Sequence, residues 1–148
     1  MKILAVDLGV VRTGLALCDE NEILASPAGV ITERNRERLA ETIAARAAKE
    51  AVQCIVVGLP RNMDGSEGES AQNARAFAQL LKAKVSVPVE MRDERGTTIT
   101  AHTFLNDTDT RGKKRKQVVD AVAATIILQD YLNFRKNQKQ SENGAATE

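Results

Sequence analysis

The chain has 148 residues, 43% of them hydrophobic and 28% charged, which is enough for one sheet-centred core and sets it apart from disordered and membrane proteins. Its 21 Lys and Arg against 20 Asp and Glu leave a formal charge of +1, so bulk charge argues neither for nor against a polyanionic partner. No apolar run is long enough to span a bilayer, the opening MKILAVDLG lacks a signal peptide's cleavage region, and Cys18 and Cys54 sit in apolar surroundings, so a reducing cytoplasmic location and two buried thiols are expected.

Ile3 to Val6 is a short apolar run ending at Asp7, and Thr13 to Leu17 resumes it after a polar turn, as in a β-hairpin. Ile23 to Ile31 reads as a third strand interrupted by Pro27. Thr32 is the expected N-cap of a helix over Glu33 to Ala51, where Leu39, Ile43 and Ala47 recur at helical spacing. Cys54 to Val57 is continuously apolar, as in a buried central strand, and runs into the Gly-rich loop GLPRNMDGSEG. A helix over Ser70 to Lys84, a fifth strand over Val85 to Met91 ending at Asp93 and Glu94, and a helix over Thr97 to Leu105 follow. After the polar loop NDTDTRG comes a helix from Lys114 to Phe134, apolar on nearly every side between Val118 and Leu128. The tail from Arg135 to Glu148 loses this periodicity and reads as unstructured. The order implies a single α/β domain over 1–134, with a mixed five-stranded sheet (an antiparallel three-strand meander plus parallel strands) flanked by helices, and a disordered tail over 135–148.

Three carboxylates stand at element ends. Asp7 before a turn is commonly a turn former, and Glu94 alone reads as a solvated loop acid paired with Arg92 or Arg95. Asp120 differs, because Val118, Val119, Ala121, Val122, Ala123 and Ala124 leave it little solvent-facing room, and a buried carboxylate needs a cation, a metal or several donors. Lys116, one turn earlier, is the structural candidate. If the three acids meet at one sheet edge, their repulsion calls for a divalent cation, and oxygen-only ligation selects Mg²⁺ or Mn²⁺. His102 is the chain's single histidine and reads as a helix-surface residue. Two such ions roughly 4 Å apart suit phosphodiester hydrolysis without a protein nucleophile.

The segments AVDLGVVRTGLALCD, VVGLPRNMDGSEGESA, MRDERGTTITA and KKRKQVVDAVAATIIL, in this order, resemble the Holliday-junction-resolvase-like family also described as pre-16S ribosomal RNA nucleases, within the ribonuclease-H-like superfamily. The resemblance covers the chain except its tail. It implies a ribonuclease-H-like fold, metal-binding and catalytic roles for Asp7, Glu94 and Asp120, and maturation of the 5′ end of the small-subunit ribosomal RNA. Two positions depart from the pattern. Val11 and Arg12 stand where the family has a Lys-Arg pair, and Gly96 follows the Asp-Glu-Arg segment in place of Leu.

The basic run from Arg111 to Lys116 would attract a polyanion. Arg12, Arg61, Asn62, Ser66, Arg95, Lys113, Lys114, Arg115 and Lys116 are therefore the candidate substrate contacts. Aromatic residues are 3% of the chain with no Trp, which points to backbone or shape recognition over base stacking. Four-way DNA junctions remain an alternative substrate, and the partner nucleic acid could be met by a monomer or a homodimer. Two other readings stand beside the nuclease: a phosphotransferase of the actin and sugar-kinase type, from DLGVVRTG as a phosphate loop, and a non-catalytic RNA-binding factor in transcription or ribosome assembly.

Overall fold

The computed structural model describes residues 1–94 and 112–146, with side chains described only over 121–139 within the last helix. The elements are β1 (Ile3–Asp7), β2 (Arg12–Cys18), β3 (Ala25–Thr32), α1 (Arg36–Lys49), β4 (Cys54–Leu59), α2 (Glu69–Lys82), β5 (Val89–Asp93) and α3 (Gly112–Ala146). The sheet order is β3-β2-β1-β4-β5, with β1, β2 and β3 an antiparallel meander and β4 and β5 parallel to β1. This is the mixed sheet that the sequence implies.

The two central strands explain the two least polar runs. Ile3 to Val6 and Ile55 to Val57 are completely buried, because helices cover both faces of the sheet. Alternate residues divide between two cores. Leu4, Val6, Ile55 and Val57 pack with Leu39, Ile43, Phe77 and Leu81 of α1 and α2. Ile3, Ala5, Cys54 and Val56 pack with Ala124, Ile127, Leu128 and Tyr131 of α3. Both cysteines are buried and unbridged, as expected. Pro27 lies in β3, an edge strand, beside a register shift at which Ala28 is the extra residue, so its missing N–H falls where a ladder tolerates it.

Several boundaries are corrected. Thr32 does not cap α1: it pairs with Arg12 as the last residue of β3, and Asn35 takes the role, its Oδ1 accepting from the Arg38 N–H at 3.0 Å. The helix expected over Glu33 to Ala51 is thus shortened at both ends. The fifth strand starts at Val89 and not Val85, directly after Pro88. The expected helix over Thr97 to Leu105, with His102, lies outside the described residues.

The largest correction is to the tail. α3 does not stop at Phe134 but continues to Ala146. Ion pairs hold its C-terminal half: the Glu22 carboxylate, 12% exposed, accepts from Arg135 Nε at 2.6 Å, from Lys139 Nζ at 3.4 Å and from the Met1 ammonium at 3.1 Å. Among the described residues, no helix is long and apolar enough to cross a membrane.

The Arg135 guanidinium and the Met1 ammonium beside Glu22 hold its carboxyl down to about 2 against an ordinary 4.5. A depressed carboxylate stabilises the fold above its unfolded pKa and loses that contribution as pH falls through the folded value. Glu22→Gln is therefore expected to lower stability at pH 7 by about 1–2 kcal/mol, with the gap to wild type closing as acid is added, read by urea denaturation across a pH series. An unchanged midpoint at pH 7 would show that this cluster does not secure α3.

Candidate functional site

Strand parity builds the site. Along β1, Asp7 follows Ile3 and Ala5 on the α3 side of the sheet, and along β4, Gly58 follows Cys54 and Val56 on the same side. β1 and β4 are parallel, so both positions reach the same edge. On β5, Glu90 accepts from the Tyr131 hydroxyl and Arg92 Nε donates to Asp130 at 2.7 Å, which sets the even-numbered residues toward α3 as well. Glu94 is next in that series, and its backbone N–H donates to the Leu59 carbonyl at 3.1 Å.

Gly58 provides the room for Glu94. A Cβ built there would lie 2.5 Å from Glu94 Oε2 and 2.7 Å from Ile127 Cδ1, so the absent side chain is the space that the Glu94 carboxyl and α3 share. The direction of α3 follows from its contacts: Ile127 adjoins Gly58, Tyr131 reaches Glu90, and Arg135 reaches Glu22 at the opposite edge. Its N-terminal part therefore belongs to the end of the sheet that carries Asp7 and Glu94. Asp120 precedes Ile127 by two helical turns, about 10 Å along the axis.

The electrostatics at this edge are unfavourable by themselves. Burial pushes the Glu94 carboxyl up to about 9, and the charge of Asp7, a hydrogen bond with it and the charge of Asp93 push the same way. Glu94 thus retains a proton mainly because it is buried, with Asp7 beside it adding to the effect. A divalent cation placed between them would relieve both the repulsion and the desolvation. Among the described residues no set of three His, Cys, Asp or Glu side chains converges as a metal cluster. Asp120 lies in the first part of α3, whose side chains are outside the described set, so of the three expected ligands Asp7 and Glu94 are brought together here.

The Gly-rich loop is more ordered than a turn. Arg61 and Glu67 pair as a bridge, the Asn62 N–H donates to the Ser66 carbonyl and the Gly65 N–H to that of Asn62, both at 2.8 Å, and Gly65 takes φ +89°. The polar groups expected to meet phosphate are largely engaged within the protein. Asn62 Nδ2 donates to Ser66 Oγ at 2.9 Å, and Arg61 lies 3.4 Å from Glu67 and 3.8 Å from Asp93. Arg61 Nε is buried with no hydrogen-bond partner among the described residues. Arg12 opens β2 and is half-buried. Arg95 lies outside the described residues, and Lys113, Lys114, Arg115 and Lys116 belong to the beginning of α3. Sequence reasoning passed over Gly58 and the Asp93–Arg61 pair. A glycine inside an apolar strand was the available signal for the first.

Residues 1–134 match the model of the family described as RuvX: Holliday junction resolvase. A protein of Anaeromyxobacter sp. (strain Fw109-5) named "Putative pre-16S rRNA nuclease" is 45% identical over 135 residues, covering 91% of this chain and 98% of that one. One of the same name from Halothermothrix orenii is 41% identical over 135 residues, covering 91% and 96%. Among solved structures, RuvC of T. thermophilus in complex with a Holliday junction substrate superposes with a TM-score of 0.59 at 13% identity, covering 93% of this chain and 96% of that one. The fowlpox virus Holliday junction resolvase does so at 0.54 and 11%, covering 90% and 99%. At those identities the likeness is one of fold.

Because the Glu94 carboxyl is raised from 4.5 to about 9, the folded state binds the extra proton, and stability in chelator is present at low pH and lost as pH rises through that interval. Asp7→Asn is expected to raise the metal-free melting temperature at pH 8 by about 2–5 °C and to flatten its pH dependence, as calorimetry would read. A lowered melting temperature would count against the repulsion. Gly58→Ala is expected to cost about 1–3 kcal/mol and to weaken Mn²⁺ binding in titration calorimetry, with Ile127→Val restoring part of the stability.

Proposed function

Because the chain belongs to the RuvX family of Holliday junction resolvases, as its match over residues 1–134 establishes, we propose that it is a nuclease that hydrolyses phosphodiester bonds with divalent cations and matures the 5′ end of pre-16S ribosomal RNA. Relatives covering about nine-tenths of the chain carry a pre-16S rRNA nuclease name, which supports the RNA reading. The single observation that carries the chemistry is the Asp7–Glu94 pair: two carboxyls forced together, at the cost of a proton on one, form a site that a hard cation completes.

Asp7 and Glu94, with Asp120 as the third ligand, would hold Mg²⁺ or Mn²⁺ through oxygen atoms alone. When bound, such ions lower the pKa of an attacking water and stabilise the leaving oxygen. The chain's own residues do the rest. Glu94 would release its proton when it holds such an ion, and Gly58 leaves the room beside β4 that its carboxyl occupies. Lys113, Lys114, Arg115 and Lys116 occupy the start of α3, where the helix dipole is already positive, so that end attracts phosphate. Arg61 ties the loop after β4 to Asp93, next to Glu94.

The family description and the fold shared with resolvases favour a second reading, cutting of four-way DNA junctions. That activity needs two active sites working in a symmetric dimer, whereas RNA trimming needs one.

With Mg²⁺ or Mn²⁺, the protein is expected to cleave a pre-16S leader RNA, and Asp7→Asn and Asp120→Asn each to lose roughly 100-fold or more in rate. Chelation should abolish cutting and added metal restore it. Parallel assays on RNA and on a four-way junction, with solution mass measured, separate the two substrates; unimpaired cleavage by both variants would end the proposal.

A further inference from the structure

At the edge of the sheet opposite Asp7 and Glu94, α3 passes the β2–β3 turn, and a groove of about 400 Å³ opens between the two. Pockets that hold a small ligand run from roughly 300 to 1,000 Å³, so this one takes a single small group. Leu132 of α3 supplies a buried apolar floor and Ile23 of the turn an apolar wall. The remaining lining is polar, with an amide from Asn21 on the turn and two more from Gln129 and Asn133 on the helix. Gln129 Nε2 donates to Asn133 Oδ1 at 3.2 Å, which leaves the Asn133 amide N–H groups and the Gln129 carbonyl oxygen to face a ligand.

The charge here is unbalanced. Glu22, the single acid of the lining, accepts from Arg135 Nε at 2.6 Å and from Lys139 Nζ at 3.4 Å, so its charge is matched before Lys136 is considered. Lys136 is exposed and makes no ion pair among the described residues. The other acids of the turn do not line the groove, and Asp19 Oδ1 is taken up by the Ile23 and Leu24 N–H groups at 2.8 and 3.0 Å. Pinning of the turn accounts for Arg135 and Lys139. It does not account for Lys136, which stands nearly three turns before Ala146 at the end of α3, beyond the last turn where the helix dipole favours a cation. The walls are also fixed to one another, since Glu22 holds a left-handed backbone at φ +58° while bonded to α3.

A surplus of cations, a set of amide donors and acceptors and an apolar floor together match the parts of one nucleotide: phosphate, ribose and base. The groove is also aligned with the carboxylates. Ile127 adjoins Gly58 beside Glu94, and Lys136 lies nine residues further along α3, about 14 Å at 1.5 Å per residue. Phosphates of one stacked strand advance about 3.4 Å each, which makes this distance roughly four or five nucleotides.

Resting on the nuclease reading above, we propose that this groove is a second RNA contact, which holds one nucleotide of the unpaired substrate strand roughly four or five nucleotides from the bond that is cut. The phosphate sits on Lys136 and Lys139, and the ribose and base lie over Leu132 among the three amides. A groove of this size admits one strand and not a duplex. It makes the enzyme depend on the length of single strand beside the cleavage site without reading base identity.

The test uses the full-length protein and pre-16S leader RNAs with roughly ten unpaired nucleotides on each side of the mature 5′ end, then trimmed to about three on one side or the other. Cleavage is followed in Mn²⁺ and binding by fluorescence anisotropy in Ca²⁺. On the long RNA, Lys136→Glu should raise KM about five- to tenfold with kcat unchanged and lower the salt slope of binding by about one, with Lys136→Gln intermediate and the melting temperatures unmoved. Trimming the side that reaches the groove should bring wild type to the Lys136→Glu level and erase the difference between them. A 4-thiouridine placed four or five nucleotides from the mature 5′ end should crosslink to 19–24 or 129–139. Equal KM and salt slope for Lys136→Glu and wild type on the long RNA would overturn the proposal, as would a defect that persists on every trimmed RNA, one confined to four-way DNA junctions, or crosslinks that avoid both segments. If nothing is cut in any divalent metal while Lys136→Glu still loses the length-dependent binding, the nuclease reading falls and the RNA contact stands.

Discussion

The burial of the Glu94 carboxyl against Asp7 is the constraint on which the carboxyl edge of this sheet depends. Asp7 and Glu94 are brought to one edge because β1 and β5 flank β4 in parallel, and because Gly58 between them has no side chain to hold Glu94 away. Among the described residues, burial, the charges of Asp7 and Asp93 and a hydrogen bond with Asp7 hold the proton on the Glu94 carboxyl up to about 9. The rest of the fold is arranged so that this edge can bear it, with β1 and β4 buried on both faces beneath the carboxylates.

α3 connects that edge to the opposite one. Its middle and C-terminal parts are fastened by Asp130 to Arg92, by Tyr131 to Glu90 and by Arg135 to Glu22, all contacts with neighbours distant in sequence. Its beginning carries four consecutive cations at the positive end of the helix dipole, an arrangement that destabilises an isolated helix. Fastening at the far half allows the near half to keep an unfavourable charge pattern that a polyanion would relieve.

Much of this was legible in the sequence. The continuous apolar runs Ile3 to Val6 and Cys54 to Val57 announced central strands because burial on both faces removes the usual alternation. Asp7 and Glu94 were legible as strand-end acids, since a site at the carboxyl edge of a parallel pair draws its residues from just beyond the last buried positions. What was hidden depended on partners far away in the chain. The continuation of α3 past Phe134 has no apolar signature, because it is secured by Glu22, more than a hundred residues earlier. Thr32 resembled a cap because its pairing with Arg12 is invisible locally. That Arg61, Asn62 and Ser66 are tied together within a hairpin was likewise hidden, because composition does not reveal the pairing of Arg61 with Glu67 or of Asn62 with Ser66.

The irregularity in β3 bears on how copies of this protein can associate. An outer strand with a proline and an inserted residue offers no continuous row of donors and acceptors to an incoming chain. Sheet-to-sheet addition on that flank, the route by which many α/β proteins polymerise or aggregate, is closed in the native state. Any self-association on that side must use side-chain surfaces, and would be sensitive to point substitutions in a way that backbone pairing is not.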